Sequence, residues 1–126
     1  MAAPFLKWVG GKRRLMGTLE KYFPAEYNNY YEPFLGGGSV FLNFQPANGV
    51  ISDLNESLIN TYCIIRDDLK SLLVHLEALN NMNNPEAYYK IRTEFNSLKH
   101  VPNKSHDVKV RVAALMIYLN KAGYGG

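Results

Sequence analysis

An α/β fold is predicted by three observations in this sequence. A strand-like stretch closing on Tyr30-Tyr31 runs into Glu32-Pro33-Phe34-Leu35-Gly36-Gly37-Gly38, an apolar helical run opens at Ser39, and a second apolar stretch, Val50-Ile51-Ser52-Asp53, ends in an acid. Strand, glycine loop, helix, strand and acid in that order describe half of a Rossmann-like mononucleotide unit. Glycines let the backbone turn at positive φ and approach a ligand with no Cβ in the way. Asp53, 15 residues beyond Gly38, stands where a doubly wound fold places its ribose-hydroxyl acceptor.

The loop reads GGGS rather than GxGxxG, and it holds no charged residue to grip a pyrophosphate. A ligand with an adenosine but no phosphates suits it better, and S-adenosylmethionine (SAM) is such a ligand. A glycine cluster after a strand is by itself only a turn. The order of the surrounding elements makes it a cofactor loop.

The remaining elements follow from periodicity. Residues 11–23 read as a helix stopped at Pro24, with Leu15, Leu19 and Tyr22 or Phe23 on one side. Tyr30-Tyr31 closes a short buried strand. Asn55 can cap a helix whose inner face is Leu58, Ile59, Tyr62 and Ile64 or Ile65. Residues 67–79 repeat leucine at 69, 72, 73, 76 and 79, an amphipathic spacing. After a polar break at 80–84, Pro85 opens a helix carrying Tyr88, Ile91, Phe95 and Leu98 inward. A polar loop over 100–106 leads to a last helix, 107–120, with Val108, Val112, Leu115, Met116 and Leu119 aligned.

Composition bounds the class. The chain has 126 residues, 47% of them apolar, the size of one ordinary domain. Fourteen basic against eleven acidic residues give +3, an excess compatible with nucleic acid but common elsewhere. The lone Cys63 cannot form an internal disulfide, so a reducing compartment is expected. No run is long and apolar enough for a signal segment or a membrane span, which predicts a cytoplasmic protein without membrane contact. His75, His100 and His106 lie in unrelated contexts, and no metal site is expected.

A second informative segment stands near the start, Pro4-Phe5-Leu6-Lys7-Trp8-Val9-Gly10-Gly11-Lys12-Arg13-Arg14. Together with Glu32 to Ser39, Asp53-Leu54-Asn55, and Tyr118-Leu119-Asn120-Lys121-Ala122-Gly123-Tyr124-Gly125-Gly126, it resembles the Dam-type (D12 class) DNA adenine-N6 methyltransferases. Their ordered segments read FxKWxGGK, D/E-P-F-x-G-x-G-S, D-x-N and YLNRxGYNG. The last match carries Lys121 for Arg and Gly125 for Asn. The four matches cover essentially the whole chain.

The resemblance implies SAM as cofactor and double-stranded DNA as partner, in DNA methylation of the kind found in restriction-modification. It implies that Trp8 and Lys12 contact the methionine part of SAM, and that Glu32, Phe34, Gly36, Gly38 and Asp53 complete the cofactor side. An indole over a glycine pair followed by a lysine offers a sulfonium a cation-π face and a carboxylate an ammonium. On the DNA side the resemblance implies Lys7, Lys121 meeting a phosphate, and Tyr124 inserting beside a flipped adenine. Arg13 and Arg14 read equally well as a solvated face.

Two strands with about five helices make a poor sheet. In the family the chain continues past GYNG through a target-recognition region and returns with a strand ending in Asp-Pro-Pro-Tyr. Here the prolines stand at 4, 24, 33, 46, 85 and 102, none adjacent, so residues 1–126 hold no such tetrapeptide and no catalytic residue is assigned. An adenine N6 lone pair is delocalised into its ring, and the family aligns that nitrogen with the groups of the tetrapeptide. The expectation is a partial Rossmann-like methyltransferase fold. Residues 1–66 form the SAM-binding part and 67–126 a helical segment leading into target recognition. Such a chain is inactive alone, being a truncated gene, a fragment, or half of a split enzyme whose second chain carries the C-terminal half. The alternative is a non-catalytic SAM- or DNA-binding protein derived from such an enzyme.

Overall fold

The computed structural model describes residues 4–8, 11–82 and 84–123. Two compact units divide between Leu54 and Asn55. The division expected from sequence, at 66/67, was one of function; the compact units part earlier, where Asn55 begins a new helix.

In the first unit a 3-10 turn (Arg13–Leu15), a short helix α1 (Met16–Leu19) and a second 3-10 turn (Glu20–Tyr22) replace the single helix expected over 11–23. Gly17 and Thr18, poor helix formers, sit at its centre. Tighter 3-10 winding shifts the angular phase, so Met16 is buried while Leu15 and Tyr22 are exposed. Strand β1 (Tyr30–Glu32), helix α2 (Ser39–Phe44) and strand β2 (Gly49–Ile51) then form a β-α-β unit. The strands pair in parallel with Tyr30 opposite Gly49, Tyr31 opposite Val50 and Glu32 opposite Ile51.

Side chains alternate across a strand, and paired residues of a parallel sheet share a face. A Cβ on Gly49 would stand 3.0 Å from the Phe41 ring, so α2 returns over the face that carries Gly49, Ile51, Tyr30 and Glu32. Tyr31 and Val50 point the other way and are 68% and 55% exposed. The expected short strand is therefore present but covered on one face only. Phe23 and Phe44 stack with ring centroids 4.2 Å apart, and Asn43 donates to Glu20 Oε1 at 3.1 Å, tying α2 to the second 3-10 turn.

The second unit is four helices, α3 (Glu56–Asp67), α4 (Leu69–Asn80), α5 (Pro85–Leu98) and α6 (His106–Ala122). Each starts on a short polar side chain that accepts a backbone N–H of its first turn: Asn55 from Leu58, Asp68 from Ser71, Asn84 from Ala87 and Ser105 from Val108. Such caps satisfy donors that a helix start leaves without partners. Pro85, at the first helical position, spends no N–H there.

Helix α6 is the centre of this unit, packing against α3, α4 and α5. Val110, Val112, Ala113, Ala114, Leu115 and Met116 are all buried, joined in the core by Ile64, Leu72, Leu79 and Ile91. The single stripe expected on α6 is thus widened, because a helix enclosed by three others has no solvated face along that stretch. Val108 and Leu119 are only partly buried. Arg111 forks onto Glu94 at 2.6 and 3.0 Å, and His106 Nε2 meets Asp68 Oδ2 at 2.6 Å.

Candidate cofactor cleft

The glycine loop between β1 and α2 builds the site. Gly36 (φ 56°) and Gly38 (φ 79°) both adopt the left-handed conformation that penalises any residue with a Cβ. Gly38 is also the residue from which α2 starts. The loop is anchored twice to the segment after β2. Leu35 donates its N–H to Ser52 O at 3.1 Å, and Gly36 donates to Asp53 Oδ2 at 3.0 Å. β2 ends at Ile51, so Asp53 sits two residues past the strand and reaches back under the loop.

Trp8 lies directly on this loop. A Cβ on Gly36 would stand 3.1 Å from the indole Cδ1, and one on Gly37 would stand 3.1 Å from the Trp8 Cβ. A Cβ at either position would be tighter than ordinary van der Waals contact and would press the indole outward. Trp8, Gly11, Lys12, Phe34, Gly36, Gly37, Ser39, Val40 and Asp53 line one cleft of about 180 Å³. That volume is below the roughly 300–1,000 Å³ of sites that enclose a drug-sized ligand, so the cleft matches one end of such a ligand.

Of the seven residues expected on the cofactor side, Trp8, Lys12, Phe34, Gly36 and Asp53 line this cleft. Glu32 and Gly38 do not: Gly38 starts α2, and Glu32 lies on the half-covered face of β1. Gly11, Gly37, Ser39 and Val40 complete the lining; they belong to the same motifs, but only the folded loop shows which of them form its wall. Burial raises the Glu32 carboxyl above the usual range, opposed by a hydrogen bond from the Tyr30 hydroxyl and by the Lys12 charge. The Tyr30 phenol is pushed well above its ordinary range, first by burial and then by its bond to Glu32. Sequence reasoning passed over this Tyr30 role; the two-residue spacing along one strand is the signal it offered.

Of the residues expected on the DNA side, Lys7 and Lys121 lie among the described residues. Lys7 is exposed. In the second unit Lys121 is exposed beside Leu73, Leu76, Ile117 and Tyr118 in a groove between α4 and α6. Tyr124 lies outside the described residues. Among the described residues, no group of three or more His, Cys, Asp or Glu is gathered as metal ligands would be. No described helix is long and apolar enough to cross a membrane.

The glycine loop with its acid, read together with the sequence profile, defines a class. The chain belongs to the family of D12 class N6 adenine-specific DNA methyltransferases, whose profile matches residues 8–126. It is 37% identical over 124 residues to the DNA adenine methylase of Escherichia coli (strain K12), a match covering 97% of this chain and 41% of that protein. It is 33% identical over 126 residues to the DNA adenine methylase of Haemophilus influenzae, covering 98% of this chain and 41% of that protein. A Type II methyltransferase of Methanocaldococcus jannaschii is 34% identical over 139 aligned positions, covering 98% of this chain and 46% of that protein. The chain thus spans less than half the length of these relatives.

Proposed function

We propose that this chain is the cofactor-binding part of a SAM-dependent DNA methyltransferase with a Rossmann-like domain, which methylates N6 of adenine in a short duplex site. The observation that carries the reading is the cleft formed where the family's glycine loop, Trp8 and Lys12 converge. Its chemistry fits SAM: an aromatic face, an ammonium, a carboxylate and glycine backbone that a Cβ would displace. When bound, SAM supplies an activated methyl group on a sulfonium.

Each residue then has one task. The Trp8 ring offers its electron-rich face to a cation. Lys12 offers an ammonium to a carboxylate. Asp53 keeps the loop closed through Gly36 and offers a carboxylate to the ribose hydroxyls. Phe34, 76% exposed at the rim, presents an apolar ring to the adenine side. Lys7, Lys121 and Tyr124 are the residues proposed to meet DNA, which would place the protein in the cytoplasm.

Calorimetric titration of the chain with S-adenosylhomocysteine, beside a tritiated-SAM assay on an adenine-containing duplex, tests this reading. Saturable binding without methyl transfer by these 126 residues is expected, since they hold no Asp-Pro-Pro-Tyr. Absence of binding removes the cofactor assignment, and robust transfer by pure protein shows that the chemistry needs other residues than those supposed.

A further inference from the structure

Helix α4 is apolar on two sides. Leu72 and Leu79 are buried in the core, while Leu69 and Leu73 are exposed and Leu76 is half-buried along a second stripe, at the i, i+4, i+7 spacing of one helix face. Leu73 and Leu76, with Ile117 and Tyr118 of α6, line a groove of about 620 Å³. The Tyr118 hydroxyl donates to the Met82 carbonyl oxygen at 2.7 Å, which fixes the ring in the groove wall. A contiguous apolar strip left open to water marks an interaction surface. The charges of the groove say what fits it. Glu77 lines it from α4 and Lys121 from α6. Both are exposed, and among the described residues neither forms an ion pair. A surface with an apolar stripe, an acid on one wall and a base on the other is complementary to itself after a half-turn.

We propose that this groove is a self-association surface whose occupant is a second copy of the chain, related by a two-fold axis that sets Glu77 of each copy against Lys121 of the other. The leucine stripes of the two copies then cover one another, and this apolar contact supplies most of the attraction. The two charge pairs lie at an exposed rim, so they add little affinity and instead fix register and orientation. The patch is far smaller than the roughly 20–30 residues a side of a stable interface, so the pair is weak and parts on dilution. The inference stands apart from the cofactor reading. Lys121 in such a pair is withheld from DNA, which makes the paired chain and the DNA-bound chain alternatives.

Charge exchange tests the two-fold relation. Sedimentation equilibrium of the 126-residue chain is expected to show a mass that rises with concentration from one chain to two and no further, since a two-fold pair closes on itself. Glu77→Lys alone brings ammonium groups together and Lys121→Glu alone brings carboxylates together, and each should weaken pairing by about tenfold or more. An equimolar mixture of the two variants should recover parental pairing, because every charge contact across the mixed pair is again acid to base. The double variant Glu77→Lys/Lys121→Glu should recover it too. Both positions are exposed, so circular dichroism and melting temperature should stay at the parent's values. A single-chain mass at every concentration, growth beyond two chains, or a mixture no more associated than its separate components would each overturn the proposal.

Discussion

Asp53 accepts the Gly36 N–H at 3.0 Å across 17 residues of chain, so the acid expected to serve a ligand is also the clasp of the glycine loop. The two roles make opposite demands on a substitution. Asp53→Ala removes the acceptor and leaves a loop N–H without its partner, at a cost of about 1–3 kcal/mol. Asp53→Asn keeps an oxygen in place. Thermal melting should therefore separate alanine, destabilised, from asparagine, near the parent, whereas calorimetry should find S-adenosylhomocysteine affinity reduced in both. Parental affinity in Asp53→Asn would leave Asp53 with the clasp role alone.

Gly36 and Gly37 test the Trp8 contact in different ways. Gly36→Ala meets the indole at 3.1 Å and is also held at a φ of 56°, which costs a Cβ-bearing residue about 1–2 kcal/mol. Gly37→Ala carries no such backbone strain and meets Trp8 Cβ at 3.1 Å and the Leu6 carbonyl oxygen at 3.4 Å. Trp8 is the single tryptophan, so intrinsic fluorescence reports its surroundings without ambiguity. Both variants should shift the emission to the red, and Gly36→Ala should lower the melting temperature more. An unchanged spectrum in both would mean that the indole does not lie on the loop.

In the helical unit the Arg111 guanidinium holds the Glu94 carboxyl below its ordinary value of 4.5, chiefly by direct hydrogen bonding. A depressed folded value means that the stabilisation is present above about 4.5 and is lost as the pH falls through the lowered one. Because the pair is about a third exposed, screening limits it to about 1 kcal/mol. Denaturant midpoints for Glu94→Gln should fall below the parent at pH 6, and the gap should narrow as the pH drops below about 4.5. Part of the acid slope should remain, since Asp67 and Asp68 are also held below the usual carboxylate range by Arg66 and His106. Identical profiles for variant and parent would remove Glu94 from the account.

Two leucines from the sequence test which residues form the core. Leu115 on α6 is 0% exposed, and Leu115→Ala should cost about 2–5 kcal/mol, a large share of the roughly 5–15 kcal/mol of a typical domain. Leu73 on α4 is 54% exposed, and Leu73→Ala should stay within about 0.5 kcal/mol. Comparable losses in the two variants would show that the outer face of α4 is covered in solution.

The sequence by itself determined the features that a few neighbouring residues decide. The start of α2 at Ser39, the Asn55 cap, Pro85 opening α5 and the β-α-β order around the glycines each depend on a capping side chain, a missing N–H or a local run of apolar residues. The residues that line the cleft were legible on the same ground, because Trp8, Lys12, Phe34, Gly36 and Asp53 belong to short ordered segments. The tertiary structure alone decided what depends on phase and register. A 3-10 turn brought Met16 inward in place of Leu15, and α2 covered one face of the sheet so that Tyr31 is exposed while Tyr30 and Glu32 are half-buried. Three helices packed against α6 buried Ala113 and Ala114, which carry too little apolar surface to announce themselves in a pattern. The Asp53 clasp and the Tyr30 hold on Glu32 belong to the same group, since a hydrogen bond forms only where the fold brings donor and acceptor to about 3 Å, a distance that no sequence spacing encodes.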